Sequence, residues 1–97
     1  MHIEKVKPKI GEIARLWAII CKNTISPKVA TLREQNEMQE RINAVVERYK
    51  QAIESGVEYM PVIRKELNQI KFTLQRWLDY NEIVYEKAIK RISKILR

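Results

Sequence analysis

Apolar residues recur at steps of three and four along most of this chain, and the run is longest in its second half. After Pro61 there is no Gly, no Pro and no cluster of turn-forming residues. Ile63, Leu67, Ile70, Leu74, Trp77/Leu78, Val84/Tyr85, Ala88, Ile92 and Ile95 keep the spacing of one helical face. This predicts a single amphipathic helix over 61–96. A shorter stripe of Ile10, Ile13, Trp17 and Ile20 predicts a first helix over 8–22, broken by Asn23-Thr24-Ile25-Ser26. Ser26 is a suitable N-cap, and Pro27 suits the first helical position, where its missing N–H costs nothing. A second helix is therefore expected over 27–55, with Val29, Leu32, Ile42, Val45/Val46, Tyr49 and Ala52/Ile53 as its stripe. Gly56 stands where a left-handed residue closes a last turn. Pro27 and Pro61 lie 34 residues apart, but the segments they open share no other pattern, so the chain is not a tandem repeat.

Short connections make neighbouring helices antiparallel. The expected fold is thus all-α, an elongated three-helix antiparallel bundle forming a single helical domain over 1–97. At about 1.5 Å per residue the three helices measure roughly 22, 42 and 54 Å. A first helix this short is expected to cover only the start of helix two and the later part of helix three. The other half of the hairpin, residues 43–74, then presents Val45, Val46, Tyr49, Ile53, Ile63, Leu67, Ile70 and Leu74, together with Val62, to an oligomer partner. A symmetric dimer completing a four-helix layer is the simplest closure; the alternative is a kinked or swapped first helix. The end of helix three overhangs the start of helix two by roughly 12 Å, again at 1.5 Å per residue. Ile92, Ile95 and Leu96 are left there with little cover, unless the tip folds back on Ile19 and Ile25.

Composition sharpens the class. Ninety-seven residues with 45% apolar and 32% charged side chains, two Gly and three Pro fit one ordered helical domain. One Cys allows no internal disulfide. Glu12 and Arg15 interrupt the only apolar stretch near the N-terminus, so no signal peptide is read there. The uncharged run Leu16–Cys21 is too short to span a bilayer, and there is no lipidation pattern. The expectation is a soluble intracellular (cytoplasmic) protein. The net charge of +7 is unevenly placed: +4 over 1–28, −2 over 29–58, zero over 59–86 and +5 over 87–97. A concentrated excess favours an anionic partner.

Sites for chemistry are few. The only His, His2, sits at the chain end, and Cys21 adjoins the stripe residue Ile20, where a buried inert thiol is expected. There is no P-loop, GxGxxG, HExxH or CxxC pattern, so no catalytic residue, cofactor or metal is assigned. Folding the hairpin about position 58 sets Glu37 opposite Asp79 and Glu34 opposite Glu82. Glu37-Met-Gln-Glu40 and Asp79-Tyr-Asn-Glu82 resemble in part the paired E-x-x-E and E-x-x-D helices of small all-α nucleotide pyrophosphohydrolases of the MazG type. That resemblance would imply an oxygen-ligand site for Mg²⁺ or Mn²⁺. Here the second pattern is inverted and the apolar setting around the acids is missing. The same folding rule brings Asn36, Gln39 and Asn81 together as a polar layer that would fix register. Phe72 and Tyr80, interleaved with Lys71, Arg76 and Lys87, have the character of a base-stacking surface.

The chain therefore reads as a non-enzymatic basic interaction module. It is expected to be an accessory subunit that engages nucleic acid, or a nucleic-acid-bound protein assembly, through phosphates and without reading sequence. The contact residues are Lys87, Lys90, Arg91, Lys94 and Arg97, helped by Lys5, Lys7 and Lys9. Because helix one runs parallel to helix three, the two sets are expected at different ends of the rod. The competing reading is a structural protein–protein adaptor or oligomerisation subunit without nucleic acid; a metal-dependent pyrophosphohydrolase is the remote third.

Overall fold

The computed structural model describes residues 6–57 and 61–96. Among these residues it contains three helices: α1 Lys7–Asn23, α2 Leu32–Glu54 and α3 Pro61–Leu96. Their order, directions and lengths are those of an elongated all-α bundle. The radius of gyration is 17.2 Å and the long axis 63 Å, whereas a compact domain of this length would have a radius near 12–13 Å. No helix among the described residues is long and apolar enough to cross a membrane.

α3 is the spine, and both other helices pack on it. Ile63, Leu67, Ile70 and Leu74 point to one side of α3 and are buried to between 0 and 8% exposure. Ile13, Leu16 and Ile20 of α1 and Met38, Ile42 and Val45 of α2 meet them. Trp17, Val46, Tyr49, Trp77 and Leu78 pack around this cluster, half-buried. The level of α1 along α3 is read from polar contacts. Lys9 Nζ donates to Asn68 Oδ1 at 3.0 Å, Lys71 Nζ pairs with Glu12 Oε2 at 2.9 Å, and the Ser26 amide donates to Asn81 Oδ1 at 2.9 Å. α1 therefore runs parallel to α3 beside residues 68–82, and Val6 ahead of it is also buried. On the other flank Arg41 donates to Glu66 Oε1 through Nε and Nη2, at 3.1 and 2.9 Å.

This placement corrects the expected uncovered half. Val45, Ile63, Leu67, Ile70 and Leu74 belong to the chain's own core, Val46 and Tyr49 are half-buried, and Ile53 and Val62 are exposed. The cause is the connection between α1 and α2. Ser26 and Pro27 do not open the long helix; they form one isolated turn, in which the Ser26 carbonyl accepts from Val29 and Ala30. α2 begins instead after Thr31, whose Oγ1 accepts from the Glu34 amide at 3.2 Å. The chain thus spends residues 24–31 on a strap that crosses α3. It buries Ile25 and Ala30 there and is held by Gln35, which donates to the Ala30 carbonyl at 2.9 Å. A strap of that length frees α1 to sit further toward the hairpin turn than a tight corner would allow. At the other end Gly56 closes α2 as expected, with φ +78°. Its amide reaches the Ile53 carbonyl and that of Val57 the Ala52 carbonyl, both at 2.9 Å, a Schellman closure.

The expected polar layer is also corrected. Asn36 is exposed. Gln39 accepts from the Trp17 indole and donates to Asn43. Asn81, only 4% exposed, serves the strap by accepting from Ser26. Asn81→Ala should leave a Ser26 amide without its partner under the strap. The expected cost is about 1–3 kcal/mol, read as a shift in denaturation midpoint, with fluorescence of the neighbouring Trp17 and Trp77 reporting the same transition.

The Glu12–Lys71 pair fixes α1 against α3 and leaves a titration signature. The hydrogen bond from Lys71, then its charge, hold the Glu12 carboxyl below the usual carboxylate range, with smaller help from Lys9 and Arg15. A carboxyl depressed in this way adds stability above its unfolded value, and that contribution is lost as the pH falls through the folded value. NMR titration should place Glu12 below an ordinary glutamate, and Lys71→Met should move it back up.

Candidate nucleic-acid interface

Among the described residues, the last hydrogen bond from α3 to another element is made by the Tyr85 hydroxyl, which donates to the Thr24 carbonyl at 3.4 Å. Beyond it α3 runs on alone, because α1 ends at Asn23 and the strap turns back toward α2. From Tyr85 to Leu96 the rise is about 16 Å, at 1.5 Å per residue. Lys87, Ile89, Lys90, Arg91, Ile92, Lys94 and Ile95 are all exposed on this tip. The tip does not fold back on Ile19 and Ile25, since Ile92 and Ile95 remain 56% and 77% exposed.

Helical spacing sorts the tip into faces. Lys87, Lys90, Arg91 and Lys94 lie three or four apart on one side, and Ile89 and Ile92 lie opposite, in line with Tyr85. Lys90 stands 3.8 Å from Glu86, with both side chains largely in solvent. Lys87, Arg91 and Lys94 make no ion pair among the described residues. Exposed pairs such as Lys90–Glu86 contribute little, so all four cations are available to an anion.

The basic face continues toward the middle of α3 along the same line, through Ile83, Tyr80, Arg76 and Phe72. Tyr80 is 61% and Phe72 65% exposed, and the Arg76 guanidinium sits 5.9 Å from the centre of the Phe72 ring. The strap adds Lys28 beside them. Lys28, Val29, Thr73, Arg76, Trp77 and Tyr80 line an open groove of about 390 Å³. Lys28 had no signal in sequence as a site residue; only the strap's path over α3 sets it beside Arg76.

The other predicted cations lie elsewhere. Lys7 is exposed at the start of α1, and Lys9 is engaged with Asn68. Asn68 precedes Lys87 by a helical rise of about 28 Å, so these lysines form a separate patch. Lys5, Arg97 and His2 lie outside the described residues. Cys21 is exposed rather than buried, because it falls on the helix side away from Ile20.

The acids do not assemble. Glu37 pairs with Arg33 at 3.2 Å along its own helix, and Asp79 accepts from Gln75 at 3.1 Å. No group of three or more His, Cys, Asp or Glu side chains comes together among the described residues. The expected facing of Glu34 and Glu37 with Asp79 and Glu82 as a cation-holding set is thereby corrected. Each carboxylate is taken up by its own helix or by solvent.

No family model, curated protein or solved structure matches this chain.

Proposed function

We propose that the protein is a basic helical interaction module without catalytic activity. Its α3 stripe engages the phosphate backbone of nucleic acid, either free or within a nucleoprotein assembly, without reading sequence. The observation that carries this reading is the continuous exposed line of Arg76, Lys87, Lys90, Arg91 and Lys94 on one face of a helix that projects past the body. Multiple cations at helical spacing match successive phosphates, and each neutralised phosphate releases counterions. Phe72 and Tyr80, beside Arg76 and Lys28, add π-faces on which unpaired bases stack, so single strands are expected to bind at least as well as duplexes. The reading is tested by fluorescence anisotropy of labelled single-stranded and duplex DNA and RNA at two salt concentrations. Salt-sensitive binding that is lost in Lys90→Glu/Arg91→Glu/Lys94→Glu supports it. Absence of binding at low salt overturns it.

The adaptor reading draws on a different observation, the exposed apolar seam of Tyr85, Ile89 and Ile92 on the other side of the same tip. It predicts association that is insensitive to salt and to the loss of the cations.

A further inference from the structure

The basic line along α3 keeps one direction but changes its chemistry partway. Its first part carries two rings, Phe72 and Tyr80, 65% and 61% exposed, with Arg76 between them. Its last part, residues 87–94, carries four cations and no ring. The uncharged Ile83 separates the two. The ringed part also has a recess. The strap lays Lys28 and Val29 opposite Arg76, Trp77 and Tyr80, and the open groove between them measures about 390 Å³. That lies within the roughly 300–1,000 Å³ of sites that take small organic molecules. Val29 and Trp77 pack on the core cluster, so the groove has a fixed apolar side. No acid lines it, and neither Lys28 nor Arg76 makes an ion pair among the described residues. The tip has no second element beside it to wall such a groove.

We infer, resting on the nucleic-acid reading above, that the preferred ligand is a junction between single strand and duplex. An unpaired base occupies the groove against Tyr80 and Trp77, Lys28 and Arg76 take its phosphates, and the adjoining duplex lies along 87–94. A ring accepts a base only when that base is out of its stack. A row of cations without rings has nothing to offer an unpaired base, but it meets any backbone. Duplex is its better partner, because it carries one charge per roughly 1.7 Å and each contact releases more counterion than on a single strand. From Tyr80 to Lys90 the rise is about 15 Å, at 1.5 Å per residue. That spans four to five steps of duplex, at about 3.4 Å per phosphate along one strand. Groove and tip therefore reach one ligand together when the duplex begins within about five base pairs of the seated base. Both lie on one helix, so after the first contact the second is intramolecular.

Fluorescence anisotropy on the full chain tests it with four labelled ligands: a blunt duplex, the same duplex with a short overhang, that duplex with an abasic overhang of equal length, and the longer strand alone. The two overhangs carry the same phosphates and differ only in bases. The set is made in DNA and in RNA, which share the ring face and the phosphate. The intact overhang is expected to bind about tenfold tighter than the abasic one in at least one of the two, the worth of one stacked base. It should also bind tighter than the strand alone. Tyr80→Ala should erase the difference between the overhangs and leave the blunt duplex unchanged, and Tyr80→Phe should keep it. Tyr80 is exposed, so an unchanged circular dichroism spectrum is expected for both variants. Equal affinity for intact and abasic overhangs overturns the inference, while salt-sensitive binding of the blunt duplex leaves the nucleic-acid reading standing. A single strand as tight as the junction also overturns it, as does a Tyr80→Ala loss equally large on the blunt duplex. Failure of every ligand to bind at low salt overturns both.

Discussion

Ile70→Ala is expected to destabilise the protein by about 3 kcal/mol, within the usual range for emptying a fully buried aliphatic site. Ile70 is 0% exposed, with Leu67 and Leu74 one turn to either side at 1% and 0%. These three side chains are where α1, α2 and α3 meet, so the cavity would have walls on three helices and little freedom to collapse. Domains of this size are stable by only about 5–15 kcal/mol, and each kcal/mol shifts the melting temperature by roughly 4–8 °C. A fall of more than about 10 °C is the expected result. Val62→Ala provides the contrast. Val62 is 73% exposed on the same helix, and its loss should stay within about 0.5 kcal/mol. Thermal and urea denaturation of the two variants would measure both. If Ile70→Ala cost no more than Val62→Ala, the packing of α1 and α2 on α3 described above would be wrong.

The second large effect is on salt-dependent binding. Four tip cations contacting four phosphates would give a slope of log K against log salt near −3.6 on duplex, at about 0.9 per contact. Between 50 and 200 mM salt, affinity should then fall roughly 150-fold. Replacing Lys87, Lys90, Arg91 and Lys94 by Gln should flatten that slope by about the same amount and weaken low-salt binding on all sequences alike. Arg76→Gln and Tyr80→Ala should behave differently. Arg76 lies inside the groove with Lys28, so its loss should remove about one unit of slope. Loss of Tyr80 should spare the slope and weaken single strands by about 1–3 kcal/mol, the worth of one stacked base. Folding is not at stake in these variants, because every one of the side chains is exposed. An affinity that remained salt-insensitive in the unmodified chain would favour the adaptor reading through the apolar seam.

Several elements could be read before any coordinates because their signals are local. Gly56 is a helix terminator wherever the chain goes next, since a left-handed residue is needed to close the turn. Pro61 opens α3 for a different local reason, because an N–H at the first helical position has no partner in the helix. The basic tip follows from a charge run on a helix longer than the two that pack on it. Two local signals compete for the start of α2: Ser26-Pro27 makes only a single turn, and Thr31-x-x-Glu34, a capping-box spacing, carries the helix. That second signal was present in the residues. Asn81 falls on an apolar stripe, which predicts burial, but folding the hairpin does not give its partner, because it serves the strap rather than the facing helix.

What the sequence determined by itself is the set of helices, the apolar side of each, and the concentration of positive charge on the last turns of α3. These follow from periodicities and caps that act within a few residues. What only the tertiary structure decided is the axial level of α1 on α3. With it came the burial of Ile63, Leu67, Ile70 and Leu74 and the convergence of Lys28 with Arg76 and Tyr80. The physical reason is that an apolar stripe specifies a face but not a position along it. A helix can slide along a uniform ridge with almost no change in buried area. Its level is set by the length of the strap and by three discrete contacts, Lys9–Asn68, Glu12–Lys71 and Ser26–Asn81.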